Sequence, residues 1–352
     1  MAFFGVTIET ISGVRDIEGA DRIQVASLVG STFQFVIGKG SFKAGDKCYY
    51  FPVDSLIPQE LAARLKVEGK LAGKEKNRIK TVRLRGELSQ GIVASLDLCS
   101  LELRGEIDPE KIAAHFGVVK YEPPEQIIKG AQLHPLPEEL SVYDIEGADR
   151  YAEVAESFMD VAVMVTEKIE GSNFSVTART SGDIFVNQRN FTIVEIEGFE
   201  HTWWKVARRM GLVEFAKELA TRYKDTATIY GECVGPGIQG NIYKLSDHRA
   251  LLFDIKIGNR FLGASAFLEE TDKLANSKEP TTIRVPLLAL GSSLRMWLGN
   301  RSIVEASNGK SALADIAREG IVIRPMQEFF IQNFGRSIIK QRSPEYLLKS
   351  EF

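Results

Sequence analysis

The chain has 352 residues, enough for two ordinary domains and too many for one comfortable hydrophobic core. Lys and Arg number 44 against 47 Asp and Glu, and the formal charge of −3 excludes a diffusely cationic surface. A hydrophobic fraction of 44% and a charged fraction of 26% exclude a disordered or fibrous chain, and no stretch approaches the roughly 18 apolar residues of a membrane helix.

The opening MAFFGVTIETISG lacks the basic region of a secretory signal. Cys48, Cys99 and Cys233 are widely spaced without any CxxC, which argues against a disulfide framework and a structural zinc site. The expectation is an intracellular, cytoplasmic protein.

The first third reads as β. Short β-branched or alternating runs fall at Val6–Ile8, Ile23–Ala26, Phe33–Ile37, Cys48–Phe51, Val82–Leu84 and Ile92–Ala94, with glycine-containing turns between them. Short helices are expected over Pro58–Lys66 and Pro109–Phe116, where Pro suits the first turn. Strands of this length and spacing predict an OB-type β-barrel over residues 1–120.

Residues 121–137 carry Pro123, Pro124, Pro135 and Pro137 and few large apolar side chains, which reads as a linker. Residues 138–352 mix both element types. Strands are expected at Val161–Thr166, Asn173–Thr177, Ile184–Asn187, Thr228–Tyr230, Leu251–Ile255, Gly320–Ile323 and Ser337–Ile339. Helices are expected at Trp203–Met210, Val213–Tyr223, Ala264–Ala275 and Leu313–Arg318. Short connections favour a mostly antiparallel α+β domain over a parallel sheet.

Asp16–Arg22 and Asp144–Arg150 share the heptapeptide DIEGADR, but their flanks differ, so a coincidence of polar turns is the better reading. Gly235–Gly240 matches the letters of a dinucleotide fingerprint without room for the helix that motif requires. Gly309-Lys310-Ser311 lacks the leading glycine of a P-loop. The histidines His115, His134, His201 and His248 share no metal-ligand or triad spacing.

Positive charge is concentrated instead. Arg64–Arg85 contains nine basic residues against Glu68 and Glu75, a local balance of +7. Most such runs are solvated loops, but on a small barrel this one suits a groove that tracks phosphates. Lys74, Lys76, Arg78, Lys80, Arg83 and Arg85 are its candidate nucleic-acid contacts.

The sharpest motif is TEKIEGSNFS, Thr166–Ser175. Lys168 follows an apolar strand and precedes Glu170, Gly171 and a second strand, a setting in which a lysine loses its proton more readily than at an exposed site. Further charged groups stand in order near strand ends: Arg189, Glu232, Asp254 beside Phe253, Glu319, Arg324 and Lys340. This set of residue types suits a nucleoside triphosphate with Mg²⁺.

That ordered set resembles the covalent nucleotidyltransferase superfamily of polynucleotide ligases and mRNA-capping enzymes. Lys168-x-Glu170-Gly171 resembles its first motif, and Tyr230-Gly231-Glu232, Phe253-Asp254, Glu319–Val322 and Ile339-Lys340 resemble the later ones. TEKIEGSNFS is similar to RNA ligases. Arg78–Gly91 and Gly19–Ile23 resemble the N-terminal OB module of RNA ligase family five. Glu170 stands where many relatives carry Asp, and Lys340-Gln341-Arg342 where many carry Lys-x-Lys. A barrel at the N-terminal end counts against DNA ligases and capping enzymes.

The resemblance implies an ATP-dependent RNA ligase using Mg²⁺ or Mn²⁺, with RNA or a nicked RNA/DNA duplex as substrate. Lys168 would form lysyl-AMP, AMP would pass to a 5′-phosphate, and a 3′-OH would seal the strand. Lys340 would contact the α-phosphate and depress the Lys168 pKa. Glu170 and Glu319 would serve the metal, Arg189 and Glu232 the ribose and phosphates, Phe253 the adenine face and Glu167 the base. Arg150 and Arg342 are further phosphate candidates. The alternatives are a capping-type guanylyltransferase, a DNA ligase, or a non-catalytic OB-fold nucleic-acid-binding protein.

Overall fold

Residues 3–99, 105, 108–122, 131–275 and 283–349 are described by a computed structural model. They fall into two compact units. One takes in residues 2–125, 146–156 and 344–352, the other residues 126–145 and 157–343.

The alternating runs of the first unit become β1 (Thr7–Asp16), β2 (Ile23–Leu28), β3 (Gln34–Gly38) and β4 (Lys47–Phe51), then β5 (Thr81–Leu84), β6 (Glu87–Gln90) and β7 (Ile92–Ser95). Five of them form an antiparallel sheet in the order β3-β2-β1-β4-β7, curled as a half-barrel. β4 is buried on both faces, which explains its unbroken apolar run. Cys48 and Tyr50 pack with Ile11, Phe35 and Ile37, while Tyr49 and Phe51 pack with Ile57, Ile112 and Phe116. Helices form at Gln59–Arg64 and Pro109–His115, the second capped by the Asp108 carboxylate.

β5 and β6 make a hairpin whose turn residues Arg85 and Gly86 both have positive φ, 51° and 85°, as a two-residue turn of matching twist requires. Ser89 Oγ accepts the Val36 N–H at 3.1 Å and ties the hairpin to β3.

The second unit holds two large sheets and a two-stranded ribbon of Phe330–Ile331 with Gly335–Arg336. The larger comprises β8 (Leu133–Pro135), β10 (Ser172–Ala178), β11 (Ile184–Asn187), β12 (Phe191–Ile193), β13 (Ala227–Val234), β14 (Arg249–Ile257) and β15 (Arg260–Phe261), in the order β8-β12-β11-β10-β13-β14-β15. The other contains β9 (Ala162–Lys168), β16 (Leu287–Ser293), β17 (Gly320–Pro325) and β18 (Ile339–Arg342), in the order β18-β17-β9-β16. Neighbouring strands in both run antiparallel, as the short connections imply. Helices Thr202–Arg209 and Leu212–Tyr223 set Trp203, Trp204, Phe215 and Leu219 against Phe174, Val176, Ile229 and Leu252.

Two expectations need correction. Leu133–Pro135, read as linker, is an edge strand, where a proline's missing N–H costs no ladder bond; Pro123 and Pro124 lie outside the described residues. Leu313–Arg318 is not a helix. Tertiary contacts claim its polar groups: Glu167 accepts the Ala312 N–H, and the Arg318 guanidinium donates to the carbonyls of Ala306, Ser307 and Asn308. The helix forms earlier instead, at Ile303–Ser307, behind a Ser302–Glu305 capping box. Among the described residues, no helix is long and apolar enough to cross a membrane.

Candidate active site

The chain passes from one sheet to the other across Ile169–Gly171, between β9 and β10. β9 continues through Glu167, so Lys168 is its last residue and is held by pairing with Gly320 on β17. Gly320 pairs in turn with Arg342 on β18, placing Lys168 and Arg342 on either side of one glycine. A Cβ at Gly320 would collide with the Gln341 carbonyl. At Gly171 it would lie 2.6 Å from the Cys233 carbonyl oxygen and 2.7 Å from Glu232 Cγ. Both glycines are required by close approach of neighbouring strands.

Lys168 Nζ lies 2.6 Å from Glu319 Oε1. Glu319 Oε2 is buried with no hydrogen-bond partner. Glu232, inside β13 opposite Asn173, completes a ring of carboxylates with Glu170. Burial, together with Glu319 and Glu170, pushes the Glu232 carboxyl up to about 8 although Lys168 opposes the shift. Burial alone would lower the Lys168 ammonium; Glu319, Glu232 and Glu170 outweigh it and hold the group above its usual value.

The carboxylates thus outweigh any lowering of Lys168 by the neighbouring cation Lys340. Lys340 is the ammonium that is lowered, first by burial and then by Lys168 and Arg342, with Asp144 resisting. Its Nζ is 3.2 Å from Asp144 Oδ1, and Arg189 Nη2 is 3.0 Å from Asp144 Oδ2. Arg342 Nε is 3.9 Å from Glu319 Oε1. Lys168, Glu170, Arg189, Glu232, Glu319, Lys340 and Arg342 therefore form one linked group of charges.

Phe253 is the bulged residue where Tyr230 pairs with Asp254 and Gly231 with Leu252. It packs on the cluster containing Ile169, Val234 and Tyr243, and its ring lies 5.0 Å from that of Tyr143. Glu167 departs from the group. Strand alternation turns it to the opposite face from Lys168, where one oxygen accepts the Ala312 N–H at 2.8 Å. Burial raises its carboxyl against that hydrogen bond.

Arg150 belongs to the first unit, where its guanidinium lies 3.8 Å over the Phe3 ring. The six basic candidates lie there too. Lys74, Lys76, Arg83 and Arg85 are exposed and Lys80 is half-buried. Arg78 differs: it is buried, 2.6 Å from Asp54 and 3.5 Å over the Tyr121 ring, which makes it a packing residue of that unit.

Two groups at the site escape the sequence reading. Asp144 precedes a turn and opens the repeated heptapeptide, which gives no sign of a role here. Tyr243 Oη accepts the Glu170 N–H at 2.8 Å, fixing the turn after Lys168. Buried Asp254, which the sequence singles out beside Phe253, accepts from Tyr143 Oη at 2.8 Å and pairs with Arg324 and Arg336, clamping the strand that carries Phe253.

The donor set fits a divalent cation. Glu319 has an orphaned buried carboxylate oxygen, and Glu232 beside it is driven up by burial and then by Glu319 and Glu170, so negative charge there is left undercompensated. Among the described residues no three His, Cys, Asp or Glu side chains form a cage by themselves. That suits an ion bound by one or two carboxylates plus waters and phosphate oxygens.

Residues 5–96 match a family model described as an OB-fold domain, and residues 161–342, just over half of the chain, match the RNA ligase model. No curated protein sequence matches the chain. Solved structures of Naegleria gruberi RNA ligase are similar throughout. Two variants of that enzyme with ATP and Mn are each 27% identical, one with a TM-score of 0.81 over 98% of both chains, the other 0.82 over 99% of both. The same enzyme with PPi is 27% identical, with a TM-score of 0.80 over 97% of both chains.

Proposed function

The chain belongs to the RNA ligase family, and we propose that it joins a 3′-OH to a 5′-phosphate through a lysyl-AMP intermediate on Lys168. It is an ATP-dependent RNA ligase that uses a divalent metal. The observation that carries the reading is the Lys168 ammonium set among Glu319, Glu232 and Glu170, with Lys340 and Arg189 held near by on Asp144.

In the first step the Lys168 Nζ lone pair attacks the α-phosphorus of ATP. One ammonium proton must leave to free that lone pair; a P–N bond then forms, the bond to the bridging oxygen of pyrophosphate breaks, and Nζ releases a second proton to solvent and keeps the third in the phosphoramidate. One of those protons already points at Glu319 Oε1. Lys340 and Arg189 bind phosphate oxygens, where charge grows as pyrophosphate leaves. Glu170 and Glu319 would hold the divalent cation, which would supply positive charge to the phosphates and to the carboxylates around Lys168. Phe253 presents an aromatic face for the adenine, and Glu232 and Arg342 flank the ribose and phosphates.

The 5′-phosphate of the RNA strand then attacks the AMP phosphorus, Lys168 departs as an amine, and the strand end becomes AppRNA. The 3′-OH attacks the 5′-phosphorus of that cap, forms the phosphodiester and expels AMP. Lys74, Lys76, Lys80, Arg83 and Arg85 supply the charge that holds the strand backbone. Arg150 receives no role in these steps, since its guanidinium is engaged with Phe3 within the first unit.

Incubation with α-labelled ATP and Mn²⁺ tests the reading. An acid-labile label that resists alkali and neutral hydroxylamine, as a phosphoramidate does, is expected on the wild type and absent from Lys168→Ala. A labelled Lys168→Ala protein removes Lys168 as nucleophile. Label from GTP in place of ATP makes the protein a guanylyltransferase, and no label from either leaves a non-catalytic nucleic-acid-binding protein. Nicks with RNA or DNA at the 3′-OH side then decide which ends are sealed.

A further inference from the structure

Asp144 takes no part in the chemistry above, yet two of its cations meet on it. Oδ1 accepts from Lys340 Nζ at 3.2 Å and Oδ2 from Arg189 Nη2 at 3.0 Å. Oδ1 also accepts the Ile145 N–H at 3.0 Å, so the chain itself fixes the carboxylate. The side chain is only 7% exposed. Lys340 comes from β18 of the smaller sheet, whereas Arg189 follows β11 of the larger one. One carboxylate thus ties together cations delivered by two sheets.

The other copy of the heptapeptide is used differently. Asp16 is 66% exposed, pairs with Lys39 at 3.4 Å and accepts from Gln24 at 2.8 Å. That is an ordinary surface pair, worth little in water. The shared sequence does not make the role; the buried junction does.

Lys340 and Arg189 are long side chains with much rotamer freedom to lose, and Lys168 repels Lys340. A shared counter-charge offsets both effects before any nucleotide arrives. An ammonium has three N–H donors and a guanidinium five, so holding Asp144 leaves further donors for phosphate oxygens. We infer that Asp144 is a positioning residue for nucleotidyl transfer: its carboxylate holds Lys340 and Arg189 so that both meet the ATP phosphates in one fixed geometry. This inference rests on the functional reading above.

The test is single-turnover self-adenylylation with α-labelled ATP and Mn²⁺ in Asp144→Asn, Asp144→Glu, Lys340→Ala and the double variant Asp144→Asn/Lys340→Ala. Asparagine keeps the size and one acceptor oxygen but turns an N–H₂ toward a cation. The rate at saturating ATP is expected to fall about 10- to 100-fold, the loss typical of slight misplacement, with the half-saturating ATP concentration and urea midpoint unchanged. Asp144→Glu, which restores the charge, is expected to recover part of the rate. The double variant is expected to be slower than Lys340→Ala alone, since Arg189 also loses its anchor, but by less than the full Asp144→Asn loss, because part of that loss acts through Lys340.

A wild-type rate in Asp144→Asn overturns the inference, and so do additive losses in the double variant. A loss confined to ATP affinity, or one that follows the urea midpoint in both Asp144 variants, assigns Asp144 to binding or folding and equally overturns it. Failure of the parent reading is separate: there the wild type itself takes no label, or Lys168→Ala still does.

Discussion

Lys168 Nζ and Glu319 Oε1 lie 2.6 Å apart, so the proposed nucleophile rests as half of an ion pair. An ammonium has no lone pair to attack with, and the surrounding carboxylates keep Lys168 in that form. Two of those carboxylates, Glu319 and Glu170, are the proposed metal donors. Cation binding and release of the nucleophile are therefore competing claims on Glu319. Glu319→Gln is expected to raise the half-saturating Mn²⁺ for self-adenylylation about 10- to 100-fold, as loss of ligand support does at metal sites. Glu170→Gln is expected to move the same midpoint in the same direction. Labelling against Mn²⁺ concentration checks both; a lowered plateau at an unmoved midpoint confines Glu319 to holding Lys168.

Gly320 pairs with Lys168 on one side and Arg342 on the other. A methyl group there meets the Gln341 carbonyl, and backbone cannot rotate away as a side chain can. Gly320→Ala is expected to cost about 1–3 kcal/mol, the usual penalty of overpacking. Because β17 and β18 must part to admit it, labelling is expected to fall further than the unfolded fraction explains. Chemical denaturation beside labelling of the folded protein separates the two. A destabilised protein labelling at the wild-type rate per folded molecule contradicts this account.

What could be seen in the sequence followed from strand alternation. The runs at Val161–Thr166, Thr228–Tyr230 and Gly320–Ile323 announced strands, and charged residues beside them announced a site. Their true ends were hidden, since pairing carries β9 through Lys168 and β13 through Glu232 to Val234. Asp144 was invisible because its role depends on partners 45 and 196 residues away. Lys340 was visible, but its weight was not: sequence order cannot show that three carboxylates outweigh one ammonium beside Lys168. Leu313–Arg318 had helical composition, and Glu167 and Arg318 overrode it.

The basic segment divides into two kinds of residue. Lys74, Lys76, Arg83 and Arg85 face solvent, while Arg78 is packed between Asp54 and Tyr121. Replacing the first four by Ala is expected to weaken strand sealing, flatten its salt dependence and spare self-adenylylation. Each lost phosphate contact on a single strand removes about 0.7 from the slope of log affinity against log salt. Arg78→Ala is expected instead to destabilise the first unit by roughly 2–3 kcal/mol, below the ~3–5 of a fully buried pair because Asp54 keeps some solvent contact. Binding titrations at several salt concentrations and thermal melts distinguish them. Unchanged salt dependence in the fourfold variant removes the hairpin from the RNA path.

His201 makes the second unit acid-sensitive. Its Nδ1 caps the helix Thr202–Arg209 by accepting the Trp203 N–H at 3.1 Å, and Nε2 is buried without a hydrogen-bond partner. Burial lowers its pKa below the usual 6.5. The folded state therefore binds fewer protons than the unfolded chain at mildly acidic pH. Stability is fully present above about 6.5 and is lost as pH falls from there toward the folded value. The cap lies close to the chemistry, because Trp203 Nε1 donates to the carbonyl of Asn173, the strand partner of Glu232. His201→Asn keeps a good capping acceptor and does not titrate. The urea midpoint of the wild type is expected to fall between pH 7 and 5 more steeply than that of His201→Asn. Equal slopes would mean that the acid sensitivity comes from other groups.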